Sequence, residues 1–180
     1  MIRYKNVREA AELLLYKAGS PRLGNGTAID VKRIVEEFCK FDLAEIDDLN
    51  LGGPILAAFI PTSNTVMVKR NCFEPRKRFS MAHELGHAQL EHGYGLADSL
   101  FPIETPLFFR CDDSDIEDGT GSKRRPLAET LADKFATYVL MPENLVRELW
   151  RRHQDVSSCA EALIVSRQAM TYRLQELRLT

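Results

Sequence analysis

Apolar positions along the chain follow two periods, and these predict its elements. Val7, Ala10, Ala11, Leu14 and Ala18 fall at helical spacing and predict a helix over residues 5–18, stopped by Gly19-Ser20-Pro21. Asp30 is placed to cap a second helix carrying Val31, Ile34, Val35 and Phe38. A strand near 41–46 follows, then Ile55–Ile60 and Thr65–Lys69 as a hairpin turning at Pro61-Thr62-Ser63-Asn64. Pro75 suits the first turn of a helix that Gly93 ends, with Phe79, Ala82, Gly86 and Leu90 on one stripe. Glycine inside a helix costs about 1 kcal/mol relative to alanine, so Gly86 implies that another element approaches closely there. Residues 94–126 read as mostly irregular, with a short strand over 107–110. A strong helix spans Leu127–Met141 and stops at Pro142; another runs from Pro142 to about His153, and two shorter ones lie around 158–164 and from Ser166 onward. This is an α+β pattern without repeats or a clear boundary. We read 1–180 as one domain, with N-terminal helices over 1–40, a core over 41–145 and a helical C-terminal extension over 146–180.

Composition narrows the classes. Hydrophobic residues make up 44% and charged residues 28%, the balance of an ordinary globular chain. A net charge of -2 leaves no electrostatic footprint for nucleic acid or anionic membrane, so direct nucleic-acid binding is not expected. Cys39, Cys72, Cys111 and Cys159 form no CxxC pair, which argues against a disulfide framework and a thiolate zinc site. The N-terminus lacks the apolar core of a signal peptide, and no run approaches 18 apolar residues. A cytoplasmic setting without membrane contact is the expectation.

The chemistry concentrates at His83-Glu84-Leu85-Gly86-His87. On a helix, residues four apart stack on one face, so both imidazoles can bind one metal ion. Glu84, about 100° round the helix, reaches water at that metal and is the candidate general base. Two histidines leave a catalytic zinc one protein ligand short. His92 stands one place before the position at which metzincins carry their third histidine, and position 93 is Gly. The helix over 127–141 offers a better ligand. Glu129 and Asp133 are one turn apart among Leu131, Ala132, Phe135, Ala136, Val139 and Leu140, where carboxylates are costly to bury unless paired or bound to metal. We assign Glu129 as third ligand and Asp133 as the acceptor that orients a zinc histidine. Tyr94, Arg110 and Tyr138 are candidate oxyanion or substrate contacts. Either Thr65–Lys69 or the strand ending at Arg110 could supply an edge against which a substrate lies extended. The acidic run Asp112–Asp118 fails calcium-loop spacing and reads as a solvated loop over 112–125, a candidate lid.

Arg78-Phe79-Ser80-Met81-Ala82-His83-Glu84-Leu85-Gly86-His87, Phe108-Phe109-Arg110, and Glu129-x-x-Ala132-Asp133-x-Phe135-Ala136 with Leu140-Met141-Pro142 together resemble the ImmA/IrrE-like metallopeptidases, over roughly residues 30–145. The resemblance implies a compact zincin-like α+β fold, with the HExxH helix and a second ligand helix on a small mixed or antiparallel sheet. It implies one Zn2+ held by His83, His87 and Glu129, Glu84 as base, and a helix-turn-helix transcriptional repressor as the protein substrate, cleaved to derepress mobile-element or stress-response genes. Two other classes remain open. A zinc-stabilised DNA-binding or regulatory module would use a helix-turn-helix-like stretch over 157–179, which carries only Arg167, Arg173 and Arg178 against Glu176. An interaction protein would bind its repressor without cutting it.

Overall fold

The computed structural model describes residues 4–47, 55–90, 108–111 and 127–180. Helix α1 (Tyr4–Lys17) buries Val7, Ala11, Leu14 and Leu15, an i, i+4, i+7, i+8 stripe. It ends where Gly19 takes φ +69° and the Ser20 N–H returns to the Leu15 carbonyl at 2.7 Å. Asp30 does cap the next helix, its Oδ1 accepting the Arg33 N–H at 3.0 Å. After Val31–Arg33 (α2) the chain widens into a π-helical turn over Ile34–Phe38. That turn sets Ile34 and Val35 side by side in the core.

Four strands form one mixed sheet: β1 (Asp42–Ile46), β2 (Ile55–Ile60), β3 (Thr65–Lys69) and β4 (Phe108–Cys111), in the order β1-β3-β2-β4. The hairpin joins β2 and β3 as the sequence predicts, with Asn64 in the left-handed region at φ +50° closing the turn. β1 pairs parallel to β3, and β4 pairs antiparallel to β2. This corrects one expectation: β3 is flanked on both sides, so Thr65–Lys69 is no free edge. β4 ends the sheet among the described residues.

Helix α3 (Glu74–Leu90) lies on β2 and β3, and its packing against α4 (Leu127–Leu140) is the most extensive between any two elements of the described residues. α5 (Glu143–His153), α6 (Val156–Leu163) and α7 (Arg167–Glu176) complete the chain. Local signals again set their ends. The Asp155 carboxylate accepts the Ser158 N–H at 2.7 Å to start α6, and the Ser166 hydroxyl accepts the Ala169 N–H at 3.1 Å to start α7. One continuous buried cluster runs from Val7 to Leu177 and takes in residues of α1, the sheet and α3 through α7. α7 is fastened to α4 by Arg173, only 3% exposed, whose Nε donates to the Met141 carbonyl at 3.0 Å and whose Nη1 meets Glu176 at 2.7 Å.

Candidate metal centre

Two helices build the site, and their closeness depends on Gly86. A Cβ placed there would lie 3.1 Å from Ala132 Cα and 3.2 Å from both the Ala132 carbonyl oxygen and Phe135 Cβ. A side chain there would press on the α4 backbone, so glycine lets α3 and α4 meet at that point without either one shifting. The consequence is burial: His83 and Glu84 are 0% exposed and His87 1%. Three polar side chains in such a position require partners.

The partners of the two histidines come from α4. Asp133 Oδ1 lies 2.8 Å from His83 Nδ1. A carboxylate accepts only, so Nδ1 carries the proton and the neutral ring turns its Nε2 lone pair the other way. That Nε2 lies 2.9 Å from His87 Nε2 and 3.2 Å from Glu129 Oε2, while His87 Nε2 lies 3.3 Å from Glu129 Oε1. Two imidazole nitrogens and a carboxylate oxygen thus converge within 4.8 Å of one another. A tetrahedral ion with bonds of about 2.0–2.1 Å sets its ligand atoms about 3.3 Å apart, so the separations fit such an ion after small adjustments. The donor set, two imidazoles and a carboxylate, is also one that zinc accepts.

The carboxylates and imidazoles also shift one another's protonation. Burial pushes the His83 imidazole down, but the Asp133 and Glu129 carboxylates outweigh it and hold the group above its ordinary value. Burial pushes Glu129 up, yet the two imidazoles hold it well below the usual carboxylate range. Glu84 behaves differently. Burial raises it against the attraction of the two histidines. Its Oε2 accepts the Phe59 N–H of β2 at 2.9 Å, and its Oε1 has no hydrogen-bond partner among the described residues.

The structure therefore brings His83, His87, Glu129 and Asp133 together, with Glu84 next to them. It turns Tyr138 elsewhere. Nine residues beyond Glu129 is about half a turn round the helix, and the Tyr138 hydroxyl donates to Glu176 at 3.1 Å while the Arg173 guanidinium stacks over its ring. As an oxyanion donor Tyr138 is corrected: it belongs to the α4–α7 contact. Arg110 lies in β4 by its backbone, and its side chain falls outside the description. Tyr94, His92 and the loop over 112–125 lie outside the described residues. The Phe59 amide is the contact that sequence reasoning missed, because a backbone N–H carries no residue signal.

Comparison with known proteins points the same way. Residues 39–175 match the profile of the IrrE N-terminal-like domain, a peptidase family. The chain belongs to this family. The radiation response metalloprotease IrrE of Deinococcus radiodurans is 31% identical over 124 residues, covering 66% of this chain and 33% of that protein. This IrrE-like chain thus spans about a third of the length of that curated relative. A Mycobacterium tuberculosis transcriptional regulator shares the fold at a TM-score of 0.60 and 16% identity, over 94% of this chain and 46% of that one. The IrrE-like chain is an α+β metallopeptidase-family domain with a His-His-Glu cluster capable of holding a metal ion. Among its described residues no helix is long and apolar enough to cross a membrane.

Proposed function

We propose that this chain is a zinc-dependent endopeptidase of the gluzincin type, working in the cytoplasm, whose substrate is a helix-turn-helix transcriptional repressor. One observation carries the catalytic part: Glu84 is wholly buried beside the His83–His87–Glu129 cluster with one carboxylate oxygen tied to the Phe59 amide and the other without a hydrogen-bond partner among the described residues. His83, His87 and Glu129 would hold the zinc, with Asp133 fixing the His83 ring. Zinc bound there supplies a Lewis acid that lowers the pKa of water from about 15.7 to roughly 7 and polarises a carbonyl. Glu84 takes the proton from the attacking water at Oε1 and later delivers it to the leaving amine. Glu129 keeps 14% of its side chain exposed, so the cluster is not sealed on that side. β4 offers the edge for an extended substrate, and its Phe108 pairs with Phe59, the residue whose amide holds the base.

The repressor as substrate rests on the family resemblance and on the two relatives, one a metalloprotease and the other a transcriptional regulator. Zinc-loaded protein incubated with a repressor from a neighbouring gene, with and without chelator, should yield fragments by mass spectrometry only when zinc is present. Intact repressor in a stable complex would instead favour a binder that displaces without cutting. A DNA-binding module finds less support. α6 and α7 do form a helix–turn–helix pair across Ile164-Val165-Ser166, but Arg173 is buried against Glu176 and cannot grip phosphate.

A further inference from the structure

Ser80 is buried at 1% exposure one turn before Glu84, and its hydroxyl has no hydrogen-bond partner among the described residues. Serine and threonine in helices commonly donate to the carbonyl four residues back. Thr137 does so to the Asp133 carbonyl at 2.9 Å, and Thr171 to the Arg167 carbonyl at 2.9 Å. Ser80 does not, so its hydroxyl is turned to something else.

The neighbour on that face is Glu84. Residues four apart stack on a helix, with Cβ atoms about 5–6 Å apart. A helical side chain also leans over the turn before its own Cα, which brings the Glu84 carboxyl back toward Ser80. Glu84 Oε1 is the other buried oxygen of this face without a partner, and no direct bond joins the two. Two unpartnered buried oxygens one turn apart are rare in native interiors, and a buried water normally serves such a pair. Two O–H···O bonds of about 2.7–2.8 Å span up to about 5.5 Å.

We propose that Ser80 is a positioning residue that fixes the Glu84 carboxylate through a single internal water. The hydroxyl donates to the water, and the water donates to Oε1. Phe59 then holds one carboxylate oxygen and the Ser80 water the other, which stops the carboxyl from rotating. Oε1 keeps its second lone pair for the proton it takes. The catalytic consequence rests on the peptidase reading above; the water bridge does not.

The test uses the zinc-loaded full chain and its Ser80→Ala and Ser80→Thr variants. Crystal structures should show a water within hydrogen-bond distance of Ser80 Oγ and Glu84 Oε1, kept in Ser80→Thr and lost or displaced in Ser80→Ala. Zinc content by elemental analysis should stay at one per chain in all three. On a repressor substrate, Ser80→Ala should lower kcat about tenfold with KM unchanged, a fraction of what general-base catalysis contributes, and Ser80→Thr should restore most of it. Density without a water between the two oxygens overturns the proposal, and so does full activity in Ser80→Ala. If the water is present but wild-type protein cuts no repressor, the bridge stands and the peptidase reading falls.

Discussion

His83 Nδ1 and Asp133 Oδ1 lie 2.8 Å apart across the interface of α3 and α4, and this bond decides which ring nitrogen faces the metal cluster. An acceptor on that side forces the proton onto Nδ1 and leaves Nε2 free to ligate. Asp133→Ala should therefore weaken zinc binding by about 10–100-fold without removing any ligand. Competition with a calibrated chelator measures it, and unchanged affinity would remove Asp133 from the site.

Metal should also stabilise the fold, because an ion that binds the three converging groups of the folded chain and not the unfolded chain shifts the folding equilibrium by mass action. At a free zinc concentration of 100 Kd the gain is about 2.7 kcal/mol. Thermal melts with zinc and with chelator should differ by several degrees in wild type and coincide in Glu129→Ala.

Glu84→Gln should keep the metal and lose cleavage by about 10²–10⁴-fold, since an amide cannot take the proton. Elemental analysis beside a cleavage assay tests both halves. Retained peptidase activity in this variant assigns the base elsewhere.

At Gly86 two effects compete. Alanine improves helix propensity by about 1 kcal/mol, but its Cβ would meet the α4 backbone at 3.1 Å, and overpacking of this kind costs about 1–3 kcal/mol. Backbone has little room to yield, so Gly86→Ala should lower the urea midpoint and also weaken zinc binding by moving Glu129. A variant more stable than wild type would mean that α3 and α4 do not touch there.

Glu176 gives a pH dependence far from the metal. Burial pushes its carboxyl up, but Arg173 and Lys134 outweigh it and hold the group below its ordinary value of 4.5. A group depressed on folding adds stability above its unfolded pKa and loses it as pH falls through the folded value. The stability gap between wild type and Glu176→Gln should thus be full near pH 7 and shrink as pH drops below about 4.5. Urea titrations at pH 7 and pH 3.5 read it; a gap that grows in acid contradicts the ion pair.

Much of this is legible in the amino-acid sequence. The histidine spacing brings His83 and His87 together because a helix has one period, and Glu129 and Asp133 beside so many apolar residues announce partners for their carboxylates. The hairpin turn is equally local. Strand order is not: nothing in the alternation of β1 says that it pairs parallel to β3 rather than antiparallel to a neighbour. Tyr138 misled because it stands on the same helix as Glu129, although its position half a turn from that residue points it away. The π-helical turn at Ile34–Phe38 leaves no mark in the apolar spacing, which suits an ordinary helix equally well.

Arg173 has a consequence for α4. Its guanidinium ties α7 to the last carbonyl of the Met141 turn, immediately after the helix that bears Glu129. A protease nick in the Ile164–Ser166 connection would release that clasp, strip the end of α4 of its cover, and let the carboxylate-bearing rod fray. Damage to the tail would then loosen the core-facing C-terminal turns of this helix first, at Leu140 and Val139, and reach its first turn at Glu129 last.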